Sequence, residues 1–190
     1  VYKERRVIVE HFELIYPYLP MNAHLLIGIG EEIILTRPTV FGPEPKEIAD
    51  KVFASLPYRL MAHTAEDICE LYLSDIQLSK TGHGDIKHGF TMIFDEKPAI
   101  DLAEMEKQAN EIIEKDLPVA YKDDSHITIG KTLHRCRGPR THVSHTGEIK
   151  GFRLLHSFVY DAFNNKYLLV GFVGEDSDKR IAALEKKLEK

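Results

Sequence analysis

Residues 89–118 read GFTMIFDEKPAIDLAEMEKQANEIIEKDLP, and the spacing of their apolar side chains changes once along this segment. In the first six residues, large apolar side chains occupy every second position, which predicts a strand over 89–94 with one buried face. After it, Asp101 can cap a helix whose apolar residues recur every three or four positions and which stops before Pro118. A strand followed by an amphipathic helix indicates an α+β layer structure.

Similar patterns flank this segment on both sides. Upstream, residues 59–78 have helical spacing, and we expect the glycines at 82 and 84 to end that helix. Downstream, the patterns predict strands at 126–132, 149–160 and 166–173, a turn at Asn164 and Asn165, and a last helix over 177–188. The sequence therefore predicts an α+β sandwich, in which an antiparallel sheet packs against two long helices.

The first 56 residues have a different pattern. We interpret their short apolar runs, at 7–9, 14–18, 24–29 and 33–35, as strands of a small β-rich module, followed by a helix over 45–55. Leu56 and Pro57 mark the expected boundary. The predicted domains are thus 1–56, whose role the sequence does not indicate, and 57–190.

Composition limits the class of protein. A chain of 190 residues with 43% hydrophobic and 29% charged residues can bury a core, so disordered and fibrous classes are excluded. No apolar run of about 18 residues occurs, and no hydrophobic signal region follows the charged residues at 3–6. We therefore expect a soluble, cytoplasmic protein without a membrane partner.

The charge and the cysteines narrow the chemistry further. Cys69 and Cys136 are far apart and lack Cys-x-x-Cys spacing, which gives no reason to expect a disulfide framework. The formal net charge is −5, so any contact with nucleic acid requires a local basic patch. One such patch falls within nineteen residues and contains Arg135, Arg137, Arg140, Lys150 and Arg153.

Two short motifs carry candidate metal ligands. In His63-Thr-Ala-Glu-Asp67, positions i and i+4 of a helix share a face, so His63 and Asp67 can point at one spot. Cys136 and His142 offer a thiolate and an imidazole on a loop that contains Gly138. Together these four side chains match the ligand types of a Zn²⁺ site.

Other interpretations of these residues stay open. A helical histidine is more often a partly buried, hydrogen-bonded residue than a ligand, and Asp67 beside Glu66 is typical of a solvated face. The chain also has ten histidines, and five of them remain rivals for any role assigned to His63 or His142: His83, His88, His126, His134 and His145.

The order of the motifs resembles the editing domain of threonyl- and alanyl-tRNA synthetases, here without a synthetase body. The resemblance covers about the last two thirds of the chain. It consists of the His63 motif, the Gly89-Phe90 strand, an acidic helix from Asp101 that ends in Leu117-Pro118-Val119, Cys136-Arg137-Gly138-Pro139, Thr141-His142-Val143, Thr146-Gly147-Glu148-Ile149, Asn164-Asn165-Lys166, and a charged closing helix.

The resemblance implies a site and an activity. In that family a His-x-x-x-His helix motif and a Cys-x-x-x-His loop motif line the site that removes a wrong amino acid from tRNA. By position, His63 matches the first histidine, Cys136 the cysteine and His142 the last histidine. Asp67 stands where the second histidine belongs, and the loop from Cys136 to His142 has two additional residues. The implied catalytic set, and the set of ligands for Zn²⁺, is therefore His63, Asp67, Cys136 and His142.

The implied reaction is hydrolysis of the ester of a mischarged tRNA of the alanine, serine or threonine type. The basic residues that are expected to contact the acceptor end of the tRNA are Arg137, Arg140, Lys150 and Arg153. The sequence leaves open whether the protein forms a homodimer. Two alternatives remain. One is a non-catalytic tRNA-binding or regulatory protein of the same fold. The other is an unrelated metal-dependent enzyme that uses His63, Glu66 and Asp67, since this string also resembles a motif of imidazoleglycerol-phosphate dehydratase.

Overall fold

The structure is a computed structural model that describes residues 6–136, 138 and 141–189. Two of the candidate tRNA contacts, Arg137 and Arg140, lie outside the described residues. The chain divides into two compact units, Val1–Leu56 and Pro57–Lys190. Antiparallel sheets and helices occur together, so the α+β class predicted from the sequence is confirmed.

The first unit mixes helices with one hairpin. Its elements are α1 (Phe12–Ile15), a 3-10 helix (Tyr16–Tyr18), β1 (Leu26–Ile29), β2 (Ile33–Thr36) and the beginning of α2 (Pro45–Asp75). The strand predictions for 24–29 and 33–35 are confirmed, whereas those for 7–9 and 14–18 are wrong. Pro17 lies in the first turn of the 3-10 helix, where its missing N–H costs nothing. The helix predicted over 45–55 is present as the first part of α2.

Helix α2 contains Pro57, at which the sequence predicts a break between two helices. The helix is continuous through Pro57, although an interior proline removes one N–H from the hydrogen-bond ladder and its ring crowds the carbonyl four residues earlier. It ends at Asp75, and Gln77 then adopts a left-handed backbone with φ of 57°. The predicted helix end at Gly82 and Gly84 is therefore wrong, since both belong to a strand.

A five-stranded antiparallel sheet forms the centre of the second unit. Its strands are β3 (Gly82–Ile86), β4 (Gly89–Phe94), β8 (Arg153–Leu154), β9 (Val159–Asp161) and β10 (Lys166–Phe172). The order is β3-β4-β10-β8, and β9 also pairs with β10. The predicted strands at 89–94 and 166–173 are confirmed. The strand predicted over 149–160 is instead divided into β8 and β9.

A second sheet of three strands carries part of the candidate site. Its strands are β5 (Val119–Asp123), β6 (His126–Ile129) and β7 (Thr132–Arg135), in the order β5-β6-β7. The sequence predicts a single strand over 126–132, but Gly130 turns the chain with a left-handed φ of 59°. Only a residue without a Cβ adopts this conformation at little cost, so the run becomes a hairpin.

Two further helices complete the second unit, and both were predicted. Asp101 caps α3 (Leu102–Glu114), because its Oδ1 accepts hydrogen bonds from the backbone N–H groups of Ala103 and Glu104. The closing helix is α4 (Ser177–Leu188). The main core joins apolar residues of α2, α3, β4, β6 and β10. Among the described residues, no helix has the length and apolar character needed to cross a membrane.

Candidate metal centre

Three separate segments bring the four predicted ligands together. His63 and Asp67 lie one turn apart on α2 and share a face. Cys136 follows β7, and its backbone N–H donates to Ser125 O, which ties it to the neighbouring hairpin turn. His142 lies on the loop before the 3-10 helix Thr146–Glu148. One potential ligand atom of each residue lies within 4.8 Å of those of the others. We call this set the four-residue cluster.

The distances inside the four-residue cluster are short. The Sγ of Cys136 lies 3.4 Å from His63 Nε2 and 3.6 Å from His142 Nε2. His142 Nε2 lies 2.7 Å from Asp67 Oδ2. The two imidazole rings have centroids 4.5 Å apart. The additional residues of the loop therefore leave His142 beside Cys136.

Thr141 fixes the protonation of His63. The Thr141 hydroxyl donates its one proton to Gly138 O at 2.8 Å, so it can only accept from the Nδ1 of His63, with which it is in contact. Nδ1 therefore carries the proton, and the lone pair of Nε2 faces Cys136. Gly138 allows this arrangement, because a Cβ there would lie only 2.8 Å from His63 Cε1.

Burial and charge shift the pKa values of three of these groups. Burial lowers the pKa of His63 to about 4, so its imidazole is neutral near pH 7. Burial, together with the nearby charge of Asp67, raises the pKa of the Cys136 thiol to about 12. Burial alone would raise the pKa of Asp67, but the imidazoles of His134, His142 and His63 hold it well below its usual value.

The four-residue cluster fits a zinc ion. Its donors are two imidazoles, one thiol that can ionise on binding, and one carboxylate, which are the ligand types of protein zinc sites. With bond lengths of about 2.0–2.3 Å, tetrahedral ligands are separated by about 3.3–3.6 Å, and the two sulfur–nitrogen distances match this range. The short His142–Asp67 contact would lengthen as the ion replaces the hydrogen bond. The four-residue cluster can thus hold a metal ion.

Of the five rival histidines, one lies beside the four-residue cluster. His134, two residues before Cys136, forms a second potential metal group with Asp67 and Glu70. The other four belong to different environments: His83 faces Glu66, His88 stacks on Tyr58, His126 pairs with Asp123, and His145 precedes the 3-10 helix. Two signals in the sequence could have indicated the second group. His134 lies two positions before Cys136 in an extended segment, so their side chains share a face, and Glu70 lies three positions after Asp67 on a helix.

Glu66 and Cys69 do not belong to the four-residue cluster. Glu66 contacts Lys80 and His83, which removes the basis for a ligand set of His63, Glu66 and Asp67. Cys69 is fully buried in the hydrophobic core, and burial raises the pKa of its thiol. It is therefore a packing residue.

The described part of the predicted basic patch is only partly free to bind phosphates. Lys150 is exposed, and its Nζ donates to Gly147 O at 2.8 Å. Arg153 is about half-exposed and lies 3.4 Å from Glu106 and 3.3 Å from Asp178. Lys150 is thus the stronger of these two candidates for a contact with tRNA.

Thr64 anchors the loop that carries His142, and its replacement tests that anchor. Its fully buried hydroxyl donates to Leu60 O and accepts from the backbone N–H of Val143 at 3.1 Å. Thr64→Val keeps the shape but leaves that N–H unpaired, so we expect a loss of about 1–3 kcal/mol in unfolding free energy. Urea denaturation measures it. Thr64→Ser keeps the hydroxyl, and an equal loss in both variants would contradict this assignment.

No protein-family model matches the chain, and neither does any curated protein. Its function is therefore inferred from the chemistry of the four-residue cluster and from the motifs that form it.

Proposed function

We propose that this domain hydrolyses the ester that joins a wrongly attached alanine, serine or threonine to the 3′-terminal ribose of tRNA. The observation that carries the proposal is the position of His63, whose Nδ1 contacts the Thr141 hydroxyl and whose Nε2 lies 3.4 Å from Cys136 Sγ. A neutral, oriented imidazole next to a set of potential metal ligands is the equipment that ester hydrolysis by water requires.

In the proposed reaction His63 acts as the general base. Its Nε2 takes a proton from a water molecule while the water oxygen attacks the ester carbonyl carbon. The imidazolium then returns the proton to the ribose oxygen as the carbon–oxygen bond breaks, which releases the free amino acid and a tRNA hydroxyl. His63 and His142 are partly exposed, whereas Asp67 and Cys136 are buried, so a substrate can reach the His63 imidazole.

Zinc has a supporting role in this proposal. Asp67, Cys136 and His142 would hold the ion, which supplies a Lewis acid for the ester carbonyl when bound. Three protein ligands with one open position are typical of catalytic zinc sites. Although His63 could also be a fourth ligand, in this proposal the fourth position is open to water or substrate, and His63 acts beside the ion as a base.

A covalent route through Cys136 is disfavoured. The nucleophile in such a route is a thiolate, and the pKa of Cys136 is raised to about 12, so the metal-free side chain is a thiol near neutral pH. The backbone N–H of Gly138 donates to this sulfur at 3.3 Å, but burial and Asp67 outweigh that contact. Water is therefore the proposed nucleophile.

A non-catalytic tRNA-binding protein is the second candidate function. It is favoured by Asp67, which stands where the resemblance would place a histidine, and which already pairs with His142 at 2.7 Å. This candidate predicts that tRNA binds but that its ester is not cleaved. The metal-dependent enzyme with Glu66 as a ligand is not proposed, because Glu66 pairs with Lys80 instead.

A deacylation screen distinguishes the two candidates. The protein is incubated with seryl-, alanyl- and threonyl-tRNA, each charged on its cognate tRNA and on a non-cognate one, and release of the labelled amino acid is followed. We expect faster hydrolysis of at least one mischarged species than of the buffer control, and binding that weakens as salt increases. Binding of every species without cleavage would favour the second candidate, and neither binding nor cleavage would contradict both.

A further inference from the structure

A second group of potential ligands adjoins the four-residue cluster. Glu70 lies three residues after Asp67 on α2, and His134 lies on β7, two residues before Cys136. His134 Nε2 lies 3.4 Å from Asp67 Oδ1 and 3.7 Å from Glu70 Oε2. These distances are close to the separation of about 3.3–3.6 Å expected for ligands of one tetrahedral ion.

His134 is a buried side chain that faces two carboxylates. Its side chain is only 7% exposed, and its Nε2 makes no hydrogen bond of normal geometry within that part of the chain. A buried polar atom without a partner costs about 1–3 kcal/mol, so proteins rarely retain one without a use. This nitrogen faces the carboxylates of Asp67 and Glu70 without a hydrogen bond of normal geometry, and carboxylates are metal ligands themselves.

Asp67 connects the two groups through its two oxygens. Oδ2 faces His142 at 2.7 Å, whereas Oδ1 faces His134 at 3.4 Å. A carboxylate whose oxygens point to different sets of ligands has the geometry of a bridge between two metal ions. Such paired ions lie about 3.5–4 Å apart in known two-metal sites.

The geometry points to a second divalent-cation position formed by Asp67, Glu70 and His134, with Asp67 bridging it to the four-residue cluster. Its donors are two carboxylates and one imidazole, a set that suits Zn²⁺, Co²⁺ and Mn²⁺. The position goes beyond the proposed function, because it holds whether or not the ester of tRNA is the substrate.

The surrounding charges are compatible with a second ion. The ammonium of Lys80 contacts Glu66 and the Oε1 of Glu70, which leaves Glu70 Oε2 for the cation. This part of α2 thus carries the carboxylates of Glu66, Asp67 and Glu70, and the Lys80 ammonium offsets only part of their charge. The side chain of Glu70 is 24% exposed, so an ion can enter from that side.

Titration with Co²⁺ tests the second position on the whole chain. Metal-free protein is titrated while absorption and electron paramagnetic resonance are recorded. The first equivalent should produce a thiolate-to-cobalt band, since Cys136 belongs only to the first position. The second should leave this band unchanged and weaken the paramagnetic signal of the first ion, because the Asp67 carboxylate couples the two ions.

Three variants accompany the titration. His134→Ala and Glu70→Gln should each bind one equivalent and keep the thiolate band, whereas His126→Ala, on the neighbouring strand, should bind two. Saturation of the wild type at one equivalent, or a second ion without coupling, would overturn the second position. Either result can coexist with full deacylation activity, so failure of this inference is distinguishable from failure of the proposed function. The titration of the wild type tests the second position even if a variant does not fold.

Discussion

Under the proposed function, the His63→Ala variant is expected to hydrolyse mischarged tRNA about 100- to 10,000-fold more slowly than the wild type, which is the range for loss of a general base. The reason is the position of Nε2, whose lone pair is fixed by the contact of Nδ1 with Thr141 and faces the Cys136 sulfur at 3.4 Å. Single-turnover deacylation measures the chemical step directly.

Zinc content separates this role from that of a metal ligand. If Asp67, Cys136 and His142 hold the ion, His63→Ala should retain zinc while it loses activity. His156→Ala is a suitable control, because His156 is exposed and pairs with Glu106. Unchanged hydrolysis in His63→Ala would contradict the catalytic assignment, and loss of zinc together with activity would make His63 a ligand instead.

Strong hydrophobic periodicity explains which elements the sequence could predict. Strand β4 and helices α3 and α4 have alternating or helical spacing with clear ends, such as the Asp101 cap, and the structure has them where they were expected. Short exposed strands carry no such signal. Strand β5 has one partly buried residue and β3 contains two glycines, so neither strand was predicted.

Local rules also failed where tertiary context decides the outcome. Pro57 indicated a break, because an interior proline costs a helix about 3 kcal/mol, yet α2 continues through it over 31 residues. Gly130 lies inside an apparent strand and in fact marks a hairpin turn. In both cases the residue that matters is visible in the sequence, but its effect depends on the contacts that surround it.

The candidate site was predictable only in part. The i, i+4 spacing of His63 and Asp67 is a local property, so the sequence alone suffices to place both side chains on one helix face. The approach of Cys136 and His142 to that face depends on contacts more than 70 positions away along the chain, such as that of Val143 with Thr64. His134 was therefore one of five equivalent rivals, and Glu70 had no assigned role.

Replacement of Asp67 by asparagine is expected to have the broadest effect, because this carboxylate belongs to both proposed metal positions. Asparagine keeps the shape but removes the charge, so binding at both positions should weaken. Loss of an outer-shell partner alone weakens metal binding about 10- to 100-fold, and a direct ligand should cost at least about 100-fold. Competition with a chromogenic zinc chelator measures the affinity, and Asp75→Asn, on an exposed turn of the same helix, is the control.

The metal-free protein provides an independent test of the same carboxylate. Because the pKa of Asp67 is lower in the folded chain than in the unfolded one, its ionisation stabilises the fold at pH values above about 4, the ordinary pKa of an aspartate. Asp67→Asn should therefore lower the unfolding free energy at neutral pH, and the difference from the wild type should shrink as the pH falls below about 4. A difference that stayed constant between pH 7 and pH 3 would mean that Asp67 stabilises the fold by packing alone, and its imidazole contacts would then lose their electrostatic role.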